Sequence, residues 1–322
     1  MKAAVQREYG PPEEVFRLED VAVPAIKDDQ VLVRTHAAGV NWADRSMAEG
    51  MPYIMRLGYG LRRPRKGIRG TDVAGIVELI GKDVAHLLPG DEVLGWCTEA
   101  FAEYVAADQD HLVPKPTGIT FEQAGGVALA GCVALQALRD IANIQSGQKV
   151  LVNGASGGIG TFAVQIARSF GAEVTGVCST ANLDLVTSIG ADHVIDYTKE
   201  DFTQGNERYD LILDMADKHS LRERRRALTP KGTLIPNSGE GGPWVGSIGR
   251  ISKAWLASPF TSHKLRPFLS MAKKHDLLVL TDLIEAGKLT PVVGKTYSLG
   301  DAGAAIADAG SGHARGKVIV TV

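Results

Sequence analysis

Cysteine is scarce in this chain. Its 322 residues include three, Cys97, Cys132 and Cys178, and none forms a Cys-x-x-Cys pair. That argues against a disulfide framework and rules out a four-cysteine zinc lobe. Each cysteine reads as a small buried apolar side chain. Net charge is scarce as well: 35 Lys+Arg against 37 Asp+Glu leave -2, so no global positive field draws the protein to nucleic acid or anionic lipid. The one dense basic run, Arg222–Glu223–Arg224–Arg225–Arg226, reads as a solvated helix face. No uninterrupted apolar span reaches membrane length. The start, MKAAVQREYG, lacks the apolar core of a signal peptide. A cytoplasmic location is the expectation. What remains is a globular composition, 44% hydrophobic and 22% charged, at a length that suits about two domains.

Two kinds of pattern follow one another along the chain. Residues 1–120 read as short strands and turns, with MKAAVQ, QVLVRTHAAGV, AGIVELI and EYVAA as strands and LPGDEVLG as a turn entering another. The two prolines of VPKPTG (113–118) block both helix and continuous ladder and mark a boundary. EQAGGVALAGCVALQALRD reads mostly as helix. Alternation then sets in: KVLVNG, a helix over 158–169, EVTGVC, a helix over 181–188, HVIDY, YDLILD, a helix over 219–227, and GTLIP. Strands alternating with helices predict an open parallel α/β sheet. Past Gly239 the pattern breaks into glycine-rich GEGGPWVGSIG. Residues 264–287 predict a helix with Leu265, Phe268, Leu269, Leu277, Leu280 and Leu283 on its apolar face. The tail GKVIVTV is a strand without a partner in the central unit, so it is expected to rejoin the first domain. The segments are therefore 1–120, 121–262 and 263–322.

The stretch NGASGGIGTFAVQIARS supplies a strand end, a tight turn and a helix. Read as Ala155-x-Gly157-x-x-Gly160, it is a dinucleotide fingerprint with alanine in the first glycine's place. Ala155, Ser156, Gly157, Gly158, Ile159 and Gly160 are expected to cradle a pyrophosphate, since small residues allow close backbone approach and a helix N-terminus favours its charge. A carboxylate at the end of the second strand would bind a ribose diol. Cys178-Ser179-Thr180 stands there instead. Ser179, Thr180 and Asn182 can accommodate a 2′-phosphate, which points to NADPH, although no Arg or Lys lies within 179–183. Ser179 or Thr180 equally serves as a helix N-cap. Tyr197 either edges the adenosine or packs at the sheet rim. Asn237 and Ser238 follow GTLIP at the C-terminal edge of the sheet, where ligands sit in such folds.

Several motifs together carry a resemblance: HAAGVNWAD (36–44), RGTDVAGIVE (69–78), PGDEVLGW (89–96), FAEYV (101–105), NGASGGIGTFAVQIA (153–167), GADHVIDY (190–197) and HARGKVIVTV (313–322). The chain resembles the zinc-independent quinone oxidoreductase branch of the medium-chain dehydrogenase/reductase family. The resemblance implies a GroES-like, partly open β-barrel catalytic domain built from both chain ends. It also implies a Rossmann doubly wound parallel sheet between them, with the active site in the cleft, and a homodimer. Zinc-bearing relatives have cysteine where this chain has Asn41 and histidine where it has Thr71, so no metal site is expected. By motif, Asn41 and Tyr53 resemble the residues near nicotinamide and substrate, and Lys317 resembles one close to the cofactor. Each has a plainer reading: Asn41 caps the turn after AAGV, Tyr53 anchors a loop, and Lys317 is a surface charge before the last strand. Asp44 and Asp72 read as structural carboxylates that accept backbone N–H groups, and His36 as scaffold.

The reaction implied is hydride transfer from NADPH to a quinone or an α,β-unsaturated carbonyl, whose delocalised product anion relaxes the need for a metal. The aromatic and arginine-rich stretches 51–70 and 242–268, the latter with Trp244, Trp255 and Phe260, suit a flat apolar acceptor. Asp217, where the family commonly has glycine, departs from the pattern. It leaves open an NADPH-binding regulatory or structural protein with degraded catalysis. A zinc alcohol dehydrogenase is the remaining alternative.

Overall fold

A computed structural model describes residues 1–216, 219–236, 263–312 and 314–322. Asp217, Asn237, Ser238, Trp244, Trp255 and Phe260 lie outside these described residues. The chain divides into two compact units, one of Met1–Cys132, Met271–Gly287 and Pro291–Val322, the other of Val133–Ser270 and Lys288–Thr290.

Up to Pro114 the strands are β1 (Lys2–Gln6), β2 (Phe16–Asp20), β3 (Gln30–Val40), β4 (Asp72–Ile80), β5 (Glu92–Trp96), β6 (Tyr104–Asp108) and β7 (Leu112–Pro114). The middle of the chain carries β8 (Lys149–Asn153), β9 (Glu173–Cys178), β10 (His193–Asp196), β11 (Tyr209–Asp214), β12 (Leu228–Pro236) and β13 (Lys264–Leu265). Two strands follow, β14 (Val293–Ser298) and β15 (Lys317–Thr321).

In the first unit one sheet runs in the order β14-β15-β3-β4-β5-β7, with β6 also on β3, and β1-β2 form a separate hairpin pair. The tail does rejoin this unit: β15 lies antiparallel to β3, with Val318 opposite Val40 and Ile319 opposite Gly39. Hydrophobic residues of these strands, among them Val33, Val73, Val93, Val105, Leu112 and Val320, are buried in one cluster together with Phe101 from the loop before β6. Each such side chain contributes about 1.5–3 kcal/mol on burial. The unit continues to Cys132, so the helix Phe121–Gly125, beyond the break expected at 120, packs on β3 and β4.

The second unit is a parallel sheet in the order β10-β9-β8-β11-β12-β13. This is the strand order of a Rossmann fold, whose ligand crevice opens where the order reverses, here between β8 and β11. The helix Gly158–Ser169 falls on the expected residues, and Gly160 through Ala167 are all buried.

Two expectations fail. The helix expected over 264–287 forms only at Lys274–Glu285. Pro267 has no N–H and disfavours helix at the residue before it, so Lys264–Leu265 instead pairs with β12 and Leu269 is left 85% exposed. The basic run is not wholly solvated either. It does form the helix Leu221–Arg226, but Arg224 turns inward and is buried.

Candidate functional site

Strand register builds the first cluster. In β3–β4 pairing Gly39 faces Asp72, and in β3–β15 pairing Val40 faces Val318. The residue after β3 (Asn41), the first of β4 (Asp72) and the first of β15 (Lys317) are thereby brought together from three distant parts of the sequence. Lys317 is 3% exposed, which excludes the surface-charge reading. Its ammonium donates to Asn41 Oδ1 at 2.7 Å, to Val40 O at 3.1 Å and to Asp72 Oδ2 at 3.3 Å. Three hydrogens have three acceptors, so Lys317 reaches a cofactor only by giving one up.

Asn41 Nδ2 donates to Thr71 Oγ1 at 3.2 Å and to Asp72 Oδ2 at 3.3 Å. Both ends of its carboxamide are thus engaged inside the cluster. Asn41 also begins the helix Trp42–Glu49, and its backbone N–H donates to Asp44 Oδ2 at 2.8 Å. The turn-capping and site readings of Asn41 are compatible, because the backbone serves one and the side chain the other. Thr71 accepts from Asn41 and keeps its own O–H to donate.

Asp44 and Asp72 behave as the expected structural carboxylates. Asp72, fully buried, also accepts from Leu129 N at 3.1 Å. Burial pushes its carboxyl up, against the Lys317 charge and the Asn41 hydrogen bond. Burial pushes the Asp44 carboxyl up to about 6, against hydrogen bonds from the Asn41 and Gly70 backbones.

Tyr53 stands in a short helical turn, Tyr53–Met55, and is 40% exposed. The Arg56 guanidinium lies over its ring at 4.8 Å and over the Tyr9 ring at 4.5 Å. Arg56 Nε also donates to Gly50 O at 2.8 Å, which fastens this turn to the end of the helix Trp42–Glu49. Nothing in the spacing of 51–70 singled Arg56 out among its five arginines.

The glycine turn forms the second cluster. The backbone N–H groups of Gly154 and Ala155 both donate to Val177 O, at 3.1 and 3.0 Å. Gly154 sits at φ +87, a backbone conformation that L side chains rarely adopt. It is therefore the residue that makes the turn, which the Ala155-x-Gly157-x-x-Gly160 reading missed. At Gly160 a Cβ would meet Gly154 O at 2.1 Å, so only glycine lets the helix start this close to the turn. Gly157, Gly158 and Ile159 stay partly exposed at the helix start. Below them, Asn153 Nδ2 donates to Asp214 Oδ1 at 2.8 Å, and Arg224 pairs with Asp214 Oδ2 at 2.7 Å. This buried pair ties the ends of β8 and β11, which are register partners.

The end of the second strand differs from expectation in one respect. Asn182 Nδ2 does join the turn to it, donating to Ser156 Oγ at 3.2 Å and Ser179 Oγ at 3.1 Å. Thr180, however, turns away: its hydroxyl donates to Asp196 Oδ2 at 2.5 Å. A carboxylate thus lies at this edge after all, supplied by β10 rather than β9. The Thr180 and Thr198 hydrogen bonds, with Lys199 at 3.4 Å, hold the Asp196 carboxyl down at about 2. Ser179 begins the turn Thr180–Asn182 without a side-chain cap bond. Tyr197 is 42% exposed and its N–H donates to Cys178 O at 3.0 Å.

The cysteines are free and buried, as expected. His36 is scaffold: its ring stacks on Phe121 with centroids 4.3 Å apart. An open pocket beside it is lined by His36, Glu92, Lys115, Phe121 and Glu122, none of which belongs to either cluster. Among the described residues no three His, Cys, Asp or Glu side chains gather as metal ligands, and no helix is long and apolar enough to cross a membrane.

Residues 27–128 match the family described as alcohol dehydrogenase GroES-like domain, and residues 189–320 that described as zinc-binding dehydrogenase. The chain is 30% identical to a quinone-oxidoreductase homolog, chloroplastic, of Spinacia oleracea, over 97% of this chain and 95% of that one. It is 32% identical to an NADPH-dependent alkenal/one oxidoreductase, chloroplastic, of Arabidopsis thaliana, over 99% and 79%. The structure of the quinone oxidoreductase from Coxiella burnetii superposes with a TM-score of 0.85 at 27% identity, over 100% of this chain and 99% of that one. Taken with the parallel sheet, the glycine turn and the returning C-terminal strand, these likenesses show that the chain belongs to the medium-chain dehydrogenase/reductase superfamily, with close homology to members of its quinone and enone oxidoreductase branch.

Proposed function

We propose that the protein is an NADPH-dependent reductase that delivers hydride, without a metal, to a quinone or an α,β-unsaturated carbonyl compound. The observation that carries this reading is the Asn41–Thr71–Asp72–Lys317 cluster. An amide and a hydroxyl are poor zinc ligands. Here they are hydrogen-bonded to each other, and the amide oxygen faces an ammonium 2.7 Å away. That charge repels a dication, so the residues present do not fit zinc.

They do fit a dinucleotide. The Gly154 turn and the helix start at Gly158 offer backbone N–H groups to a pyrophosphate, and Gly160 keeps the approach clear. Ser156, Ser179 and Asn182, hydrogen-bonded to one another beside the turn, would offer hydroxyls and an amide to an adenosine ribose, and the name of the Arabidopsis relative specifies NADPH. When bound, the nicotinamide supplies the hydride.

The protein's own contribution is orientation and proton supply. Lys317 holds the Asn41 carboxamide in one orientation and offsets the Asp72 charge. Asn41, acting through its bond to Thr71, leaves the Thr71 O–H as the hydrogen-bond donor offered to a substrate or ribose oxygen. Tyr53, steadied by Arg56, donates the proton that completes the reduction. Conjugated acceptors suit this modest equipment, because their product anion is delocalised. A homodimer and a cytoplasmic location belong to the same proposal.

The test is consumption of NADPH and of NADH against a panel of quinones, enones, enals and simple alcohols. NADPH-linked turnover of conjugated acceptors is expected. Equal use of NADH would sink the cofactor assignment. Tight NADPH binding with no turnover across the panel would return the protein to the regulatory reading.

A further inference from the structure

The edge of the second unit beside the glycine turn carries a charge arrangement that the sequence hides. Register pairs Asp196, the last residue of β10, with Cys178, the last of β9. Asp196 therefore stands next to Thr180 across a sequence separation of 16. Its Oδ2 accepts from Thr180 Oγ1 and lies 3.4 Å from Lys199 Nζ. Its Oδ1 accepts from Thr198 N at 3.0 Å and Thr198 Oγ1 at 2.7 Å. Four donors occupy the roughly four lone-pair directions of this carboxylate.

A free carboxylate at this edge would bind a ribose diol and repel a 2′-phosphate. Asp196 has no acceptor capacity left for a diol. Its side chain is 7% exposed, whereas that of Lys199 is 68% exposed. The carboxylate is thus buried, and the lysine side chain that pairs with it, three residues past the strand end, stands mostly in solvent. In the turn that Thr180 begins, both amide hydrogens of Asn182 go to Ser156 and Ser179. The two serine hydroxyls keep their own hydrogens to donate, with no acceptor for them among the described residues. Residues 179–183 supply hydroxyls and an amide but no base.

We propose that Lys199, held in place by Asp196, is the specificity-determining cation for the adenosine 2′-phosphate, with the Ser179 hydroxyl as its neutral partner. The assignment rests on the NADPH reading and names the residue that sets the preference. It answers the missing base near the second strand: the charge comes from the third strand instead. The Thr180–Asp196 bond makes the arrangement possible, because it fills the acceptor that would otherwise favour the unphosphorylated ribose.

The experiment is calorimetric titration of the full-length protein with 2′,5′-ADP and with 5′-ADP, for wild type, Lys199→Met and Lys199→Arg. Lys199 is exposed, so neither substitution threatens the fold. Wild type should prefer 2′,5′-ADP. Lys199→Met should weaken 2′,5′-ADP binding about tenfold, as loss of a charge-assisted bond to a phosphate implies, and leave 5′-ADP binding unchanged. Lys199→Arg should retain the preference. The affinity of wild type for 2′,5′-ADP should also fall more steeply with salt than that of Lys199→Met. Equal loss for both ligands, or no loss for either, would overturn the role of Lys199 while leaving NADPH preference standing. Equal affinity of wild type for the two ligands would instead overturn the NADPH reading, and this assignment with it.

Discussion

Lys317→Met is the substitution that presses hardest on the account. Methionine keeps the length of the side chain and removes the charge. In the native protein that charge is 3% exposed and meets three acceptors, among them the fully buried Asp72. Removing one partner of a buried pair leaves the other uncompensated, at a cost of about 3–5 kcal/mol. The cost has a pH signature. The Asp72 carboxyl is already raised by burial, and Lys317 is the largest influence holding it down. Without Lys317 it rises further. Folding then disfavours the ionised form, so the penalty is full above the folded pKa and fades as the pH falls toward the unfolded value near 4. Urea unfolding followed by circular dichroism should show the largest loss at pH 8 and a smaller one at pH 5.5, at unchanged m-value. The double variant Lys317→Met/Asp72→Leu should be more stable than Lys317→Met at pH 8. A loss below about 1 kcal/mol at pH 8, a loss independent of pH, or a double variant no better than the single one would refute the reasoning.

Asp44 should show its own pH effect. Its carboxyl, raised to about 6, is disfavoured as an anion in the fold, so its contribution to stability falls by up to about 3 kcal/mol as pH rises from 4 through 6. Asp44→Asn should flatten that slope in urea titrations, and an unchanged slope would reject the assignment. Gly160→Ala puts a Cβ 2.1 Å from Gly154 O. It should abolish NADPH binding measured by cofactor fluorescence or, if the helix shifts to absorb it, cost about 1–3 kcal/mol; wild-type behaviour in both would mean that the turn is looser than described. Tyr53→Phe should lower the maximal rate and alter its pH profile, whereas an unchanged profile removes Tyr53 from proton transfer. Burial pushes the Cys97 thiol up and that of Cys178 up to about 11. Alkylating reagents at pH 8 should therefore leave both unmodified in the native state.

Local pattern carried much of this fold. The alternation of KVLVNG, helix and EVTGVC placed β8, the helix Gly158–Ser169 and β9 on their residues, because a strand–turn–helix unit is specified by contiguous sequence. GKVIVTV announced a strand with no partner in the central parallel unit, and its pairing with β3 in the first unit agrees with that. What stayed hidden depends on register and on side-chain direction. Lys317 read equally well as a surface charge, since nothing in RGKVIV says that β15 delivers it against Asn41 and Asp72. Thr180 read as a phosphate ligand because its acceptor, Asp196, lies on another strand. Arg224 looked like one of a solvated basic run, although its partner Asp214 ends β11. Leu265 and Leu269 fitted a helical face, and the interruption at Pro267 outweighed that periodicity.

The central claim is a hydride transfer that needs NADPH and no metal. It is tested most directly by the rate of NADPH oxidation with an enone that the protein turns over, measured after exhaustive chelation and with zinc content determined on the same sample. The account predicts an undiminished rate at zinc content near zero, with no gain on adding zinc back. Loss of activity on chelation, restored by zinc in proportion to occupancy, would contradict it.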